Sequence, residues 1–115
     1  MAISEFEIKQ WEKELGIFLE LRRPPAHIRD QLDIGFRIEN HSIELYEIRP
    51  VWNNPSEKSQ LSIAKATYIK KSNTWKVYWQ RQDLKWHSYE PTPNTDTLRE
   101  FLELVNEDKY ACFFG

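Results

Sequence analysis

The sequence predicts an α+β fold: an N-terminal helix, an antiparallel sheet of about five strands in meander order, and a C-terminal helix, with both helices on one face of the sheet. Three observations predict this arrangement. Apolar residues recur at helical spacing near both ends of the chain, they alternate with polar residues in between, and short turn-forming pairs separate the alternating segments. The 115 residues contain no linker-like stretch, so residues 1–115 are expected to form one domain.

The first helix is predicted to begin at a capping box, because Ser4 and Glu7 have the required spacing. Pro24 and Pro25 remove two amide donors, so the helix is expected to end near residues 21–23. Its apolar face comprises Ile8, Trp11, Leu15, Phe18 and Leu19. This apolar face is expected to pack against a sheet.

The first hairpin is predicted from the alternation of residues 32–49 about a turn at Asn40-His41. The expected inner-face pairs are Ile38 with Ile43, Phe36 with Leu45, Ile34 with Glu47, and Leu32 with Arg49. The outer face then pairs Arg37 with Glu44 and sets Gly35 against Tyr46. An opposite-charge pair and an aromatic ring over a glycine both favour this register.

The next two hairpins follow a predicted loop, "RPVWNNPSEKSQ", after which a strand begins at Leu61. A turn at Ser72-Asn73 predicts the pairs Lys70 with Trp75, Tyr68 with Val77, Ala66 with Trp79, and Ala64 with Arg81. A turn at Asp83-Leu84 predicts Arg81 with Trp86, Gln80 with His87, Trp79 with Ser88, and Tyr78 with Tyr89. This register sends Trp75, Val77, Trp79 and Trp86 to the core.

The C-terminal helix is predicted from Leu98 to about Asn106, with Asp96 or Thr97 as its cap, after a loop "PTPNTDT". The last residues, "YACFFG", are apolar and are expected to dock on the domain or on a partner. The residues expected to be among the most buried are Trp11, Phe18, Phe36, Trp79 and Leu102.

Composition excludes several classes of protein. Lys+Arg number 16 and Asp+Glu 18, which argues against a DNA-coating protein. One cysteine excludes an intramolecular disulfide, and three scattered histidines without ligand spacing predict neither a metal site nor a cofactor. Neither a signal peptide nor a membrane-spanning run is found, so a cytoplasmic protein without a membrane partner is expected.

A first candidate site lies on the outer face of the sheet. It comprises Lys65, Thr67, Lys76, Tyr78, Gln80, His87 and Tyr89. Two stackable rings among cations and donors are typical of surfaces that bind single-stranded nucleic acid. The same rings could instead pair across strands on a solvated face, or be buried in a homo-oligomer. Self-association is the preferred interpretation, because near-neutral charge does not keep copies apart.

A second candidate site is a cluster of Glu47, Arg49 and Arg81, all directed toward the helix-covered side. Buried charges need partners, so the cluster is interpreted as an ion pair that closes the open end of the core. The alternative is a pocket for a small anion with an arginine fork, in an enzyme or a binding protein. No residue pattern activates a nucleophile, so no catalytic residue is assigned and a binding protein is favoured over an enzyme.

Four segments occur in order along the chain: "RRPPAHIRDQLDIGFRIE", "ELYEIRPVW", "DLKWHSYEP" and "EDKYACFFG". In this order they resemble a family of small bacterial proteins known as domain of unknown function 3024. The likeness covers nearly the whole chain. It implies a single domain in the bacterial cytoplasm, and it brings no activity, substrate or catalytic residue.

Overall fold

Two helices and a six-stranded antiparallel sheet form the fold in the computed structural model, which describes residues 4–109 and 112–113. The elements are α1 (Glu5–Arg22), β1 (Asp33–Glu39), β2 (Ser42–Val51), β3 (Asn54–Ile69), β4 (Thr74–Gln80), β5 (Trp86–Ser88), β6 (Asn94–Thr95) and α2 (Leu98–Glu107). The strand order β1-β2-β3-β4-β5 is a meander, and β6 pairs with another part of β4. The predicted architecture, with both helices on one face, is confirmed.

Both helices begin at the predicted caps. The Glu7 amide donates to Ser4 Oγ at 3.2 Å, and the Ser4 amide donates back to Glu7 Oε1 at 3.3 Å, which completes the capping box. The helix ends at Arg22, as the following prolines predict. For α2, the second of the two candidate caps is used: the Glu100 amide donates to Thr97 Oγ1 at 3.1 Å. Each cap satisfies an amide that has no partner within its helix.

The core lies between the helices and the inner face of the sheet, where Leu15, Phe101 and Val77 are fully buried. Trp11, Phe18 and Leu102 are buried as predicted. Phe36 and Trp79 are only half-buried, so for them the prediction is wrong. Phe36 is on an edge strand, and Trp79 lies near the end of β4, where the Arg81 guanidinium lies over its ring.

The register of the first hairpin is confirmed for three of the four predicted inner-face pairs and for both outer-face pairs. The fourth predicted pair, Leu32 with Arg49, does not form, because β1 begins only at Asp33. The Asp33 carboxylate is held there by Arg23, at 2.6 Å from the guanidinium.

The predicted loop over residues 49–60 is wrong, because β2 and β3 continue through it as a two-stranded ribbon that turns at Trp52-Asn53. Every residue from Asn54 to Leu61 is exposed. Because neither face of the ribbon is buried here, the sequence lacks the alternation of apolar and polar residues from which a strand is predicted. Lys58 donates from Nζ to the Asp30 carbonyl and ties the ribbon to the body of the domain.

The register between β3 and β4 differs from the prediction by two residues. Tyr68 opposes Trp75 across a loop of residues 70–73, in which Asn73 has a φ of 54°. A shift of two residues keeps every side chain on its predicted face. It also brings Tyr68 and Trp75 together beneath Trp11, with ring centroids 4.8–5.4 Å apart.

The register between β4 and β5 differs from the prediction by one residue, which exchanges the two faces of β5. The connection is a loop of residues 81–85, in which Leu84 has a φ of 62° and the Arg81 amide donates to the Lys85 carbonyl at 3.3 Å. Trp86 therefore lies on the outer face, opposite Gln80. Tyr89 turns inward, where it is only 2% exposed.

Two further features concern the C-terminal part of the chain. Within the predicted loop before α2, β6 pairs with β4, and the Val77 amide donates to the Pro93 carbonyl at 3.0 Å. Phe113 is buried against Tyr89, with ring centroids 4.9 Å apart, so docking of the C-terminal segment on the domain is confirmed for this residue. Residues 110, 111, 114 and 115 of that segment lie outside the described residues.

The described helices include none with the length and apolar character needed to cross a membrane.

Gly35 and Gly16 provide a matched test of the sheet and helix packing. A Cβ at Gly35 would lie 2.8 Å from the Tyr46 ring, whereas a Cβ at Gly16 meets nothing within 4 Å. We expect Gly35→Ala to lower the free energy of unfolding by about 1 kcal/mol, because the ring must move from its position over the strand. Gly16→Ala should raise it by about 1 kcal/mol through helix propensity.

Urea unfolding monitored by circular dichroism measures both changes. In a Tyr46→Ala background, the Gly35→Ala change should cost nothing, because the clashing ring is absent. An equal cost in the two backgrounds would show that the ring does not limit this position.

Candidate functional site

The outer face of the sheet is the principal candidate surface, because both helices pack on the inner face. Cross-strand pairing of β3, β4 and β5 brings seven side chains together on this face. They are Lys65, Thr67, Lys76, Tyr78, Gln80, Trp86 and Ser88. We call these seven residues the cationic face, since its charged members are the two lysines.

The centre of the cationic face is a lysine shared by two aromatic rings. Lys65 Nζ lies 5.4 Å from the ring centroid of Tyr78 and 5.4 Å from that of Trp86. Each distance is within the range of a cation–π interaction. Gln80 is positioned beside them by its amide, which donates from Nε2 to the Leu84 carbonyl at 3.2 Å. The two rings are half-buried, so a part of each remains accessible to a ligand.

The half of the outer face formed by β1 and β2 differs in charge. Arg37 lies over the Tyr46 ring at 4.9 Å and also bridges Glu44 at 3.4 Å. Glu44 accepts a further hydrogen bond from Ser62. Here the cation is already neutralised by a carboxylate. Glu44 is also the direct cross-strand partner of Lys65, so a carboxylate borders the cationic face, although none of its seven side chains is one.

The structure brings together five of the seven residues that the sequence assigned to an outer-face site: Lys65, Thr67, Lys76, Tyr78 and Gln80. His87 and Tyr89 are placed on the inner side instead, because of the one-residue change in register of β5. Trp86 was missed for the same reason. No glycine marks the positive φ at Leu84, so no sequence signal gives the true loop length.

A second group of polar side chains lies at the other side of the sheet, where β4 ends and β5 begins. The Arg81 guanidinium lies over the Trp79 ring, 5.6 Å from its centroid. His87 Nε2 is 2.9 Å from Asp83 Oδ2, and Asp83 Oδ1 accepts from the Lys85 amide at 2.9 Å. The Lys85 amide, followed by the His87 side chain, lowers the pKa of Asp83 below its ordinary value.

The predicted ionic cluster of Glu47, Arg49 and Arg81 is divided between two places. Glu47 is buried at 8% exposure and pairs with Arg49 at 3.3 Å, which agrees with an ion pair at the margin of the core. Arg81 lies instead over Trp79. The three side chains therefore do not form one pocket.

Cys112 and His87 both line one cavity on the inner side of the sheet. Burial, followed by the charge of Asp108, raises the pKa of the Cys112 thiol. A raised pKa leaves the thiol protonated at neutral pH, which does not favour a nucleophile. Within residues 4–109 and 112–113, no three His, Cys, Asp or Glu side chains are grouped as metal ligands.

The pairing of Asp83 with His87 can be tested by titration. Because the folded-state pKa of Asp83 is lowered, this carboxylate contributes stability at pH values above its unfolded pKa, and the contribution is lost as the pH falls through the folded value. We expect His87→Ala to raise the pKa of Asp83 only part of the way to its ordinary value, since the Lys85 amide still donates to the carboxylate. Carboxyl-detected NMR titration measures the change.

Asp33 serves as the internal control, because Arg23 is the largest cause of its lowered pKa and lies away from His87. An unchanged pKa of Asp83 in the variant would show that His87 does not contribute.

Comparison with known proteins identifies a family. A family model described as "Domain of unknown function (DUF3024)" matches residues 3–115. No curated protein and no solved structure matches the chain. The match extends over essentially the whole domain, including the strands of the cationic face and the C-terminal helix, and the chain therefore belongs to the DUF3024 family.

Proposed function

We propose that this protein binds single-stranded nucleic acid on the cationic face. The observation that carries the proposal is the position of Lys65 between the rings of Tyr78 and Trp86 on a sheet face that neither described helix covers. Stacking of bases on aromatic rings, with cations nearby for the phosphates, is the usual chemistry of sequence-tolerant single-strand binding.

Each member of the cationic face has a role in this proposal. Tyr78 and Trp86 supply π-surfaces for two bases. Lys65 and Lys76 neutralise the phosphates between and beside them. The remaining members, Thr67, Gln80 and Ser88, supply hydrogen-bonding groups for sugar and base edges.

The geometry favours a single strand over a duplex. Both rings lie on the outer face of a sheet, so they can contact only bases that are already unstacked and turned outward. The chain as a whole has a formal net charge of −2, so it lacks the broad positive field that coats duplex DNA. Modest affinity with a clear dependence on salt is therefore expected.

Self-association through the same face, the preferred interpretation from sequence, is less well supported by the geometry. That interpretation relied on Tyr78 and Tyr89 forming one exposed pair, and Tyr89 is buried. Two copies placed face to face would also bring Lys65 and Lys76 of both copies into one interface, where like charges repel. A polyanion has the charge that complements this face.

The proposal includes a setting in the bacterial cytoplasm. Two observations support it: the likeness of the chain to a family of small bacterial proteins, and the single cysteine, which is compatible with a reducing compartment.

The test is the double substitution Tyr78→Ser and Trp86→Ser. We expect affinity for a fluorescein-labelled oligothymidylate and an oligouridylate to fall at least about tenfold, because stacking on each ring contributes about 1–3 kcal/mol. Fluorescence anisotropy at low salt measures the affinity. Trp52→Ser is the matched control, since Trp52 is 92% exposed and lies on the ribbon, away from the cationic face.

The lysines are tested separately by their effect on salt dependence. Replacing Lys65 and Lys76 by Gln should reduce the slope of log affinity against log salt by about 1.4, or about 0.7 for each phosphate that is no longer neutralised. Absence of binding by the wild type at low salt would refute the proposal. If the wild type bound no oligonucleotide and the Tyr78→Ser, Trp86→Ser variant had a lower mass by light scattering than the wild type, self-association would replace nucleic-acid binding as the proposed role of this face.

A further inference from the structure

A cavity of about 340 Å³ lies at the end of β4 and β5, and it shares Ser88 with the cationic face but neither the lysines nor the rings of that face. Trp79 and His87, which are direct cross-strand partners, form one wall. The lining also includes a cation, a carboxylate and a thiol, which belong to Arg81, Glu90 and Cys112. The volume is within the range of small-molecule sites.

Arg81 contributes a guanidinium that is oriented but has no ion-pair partner among the described residues. It lies over the Trp79 ring at 5.6 Å, and stacking of this kind fixes the plane of its donors. The charge of Arg81 reaches Asp83 and adds to the lowering of the pKa of that carboxyl. The oxygens of Asp83 are nevertheless occupied by His87 and the Lys85 amide, so in the described part of the chain no carboxylate pairs with this guanidinium.

Glu90 contributes the opposite charge to the same cavity. Its side chain is exposed, and within residues 4–109 and 112–113 no cation forms an ion pair with it. Although Glu90 and Arg81 line one cavity, they do not bridge each other. The cavity therefore presents one positive and one negative group that are separated and not neutralised by the described part of the protein.

His87 is the third polar group of the cavity, and its ring is held in place. The Asp83 carboxylate accepts from Nε2 at 2.9 Å, so Nδ1 of the neutral tautomer is left as an acceptor for a ligand. The lining thus includes a donor, Arg81, and two acceptors, Glu90 and Nδ1 of His87.

We propose that this cavity binds a small zwitterion, of the chemical class of free α-amino acids. The ligand carboxylate would be held by Arg81, and its ammonium by Glu90 and Nδ1 of His87. The Trp79 ring provides an apolar wall for the rest of the molecule. A bare anion is a poorer match, because the carboxylate of Glu90 in the same lining would repel it and would be left without a partner.

The experiment screens the free proteinogenic L-amino acids one at a time against the full chain, at concentrations up to about 10 mM, the range of a weak small-molecule site. Binding is followed by ¹H–¹⁵N NMR. We expect saturable shifts for at least one amino acid, centred on residues 79–90. The N-acetyl derivative and the methyl ester of that amino acid should each bind at least about tenfold more weakly, because each lacks one of the two charges.

The substitutions Arg81→Gln and Glu90→Gln should each weaken binding at least about tenfold. Both residues are exposed, so the fold is expected to be retained. Arg99→Gln and Glu103→Gln, exposed positions on α2, are the matched controls and should bind as the wild type does. The Tyr78→Ser and Trp86→Ser variant should also bind normally, which separates this site from the cationic face.

The proposal is overturned if no free amino acid gives saturable shifts. It is equally overturned if the N-acetyl derivative binds as tightly as the free amino acid, since the site would then recognise only an anion. Equal binding by the methyl ester would overturn it as well, because the carboxylate would then not be recognised.

Discussion

The contact of Trp11 with Tyr68 and Trp75 is the interaction on which the rest of the structure depends. The three rings join α1 to β3 and β4 at edge-to-face and tilted geometries, with centroids 4.8–5.4 Å apart. Aromatic pairs of this kind add stability beyond the area they bury. By setting Tyr68 opposite Trp75, they also fix the pairing of the two strands, and that pairing places Lys65 beside Tyr78 on the opposite face. One inner-face cluster thus determines which side chains of β3 and β4 are neighbours on the outer face.

The sequence reveals an element clearly where one face of that element is buried. In β1 and β2 the alternation is strict and both faces agree on one register, so the first hairpin could be predicted almost residue by residue. The ribbon could not be predicted, because Asn54 to Leu61 are exposed on all sides and bury no apolar set. Its prolines also suggest a loop, although an unpaired strand edge tolerates them.

The candidate surface was partly predictable for a related reason. An error of two residues in the β3–β4 loop leaves Lys65, Lys76 and Tyr78 on the correct face, because side-chain direction repeats every two residues. An error of one residue at the β4–β5 loop moves Trp86 outward and Tyr89 inward. The loop length depends on a left-handed backbone at Leu84, a conformation for which leucine gives no indication.

The ribbon formed by the outer parts of β2 and β3 has a consequence for how the domain opens. Its backbone hydrogen bonds have no buried side chains to shield them, whereas those of β4 lie over fully buried Val77. Backbone hydrogen bonds that are covered by buried side chains open less readily than exposed ones. The two strands of the ribbon can therefore separate at a small fraction of the free energy of global unfolding. A separated ribbon would still be a poor template for strand addition, because Pro55 offers no amide to a further strand. The domain therefore combines a cooperative body with a ribbon that opens at a lower free energy, once the bond from Lys58 to the Asp30 carbonyl is broken.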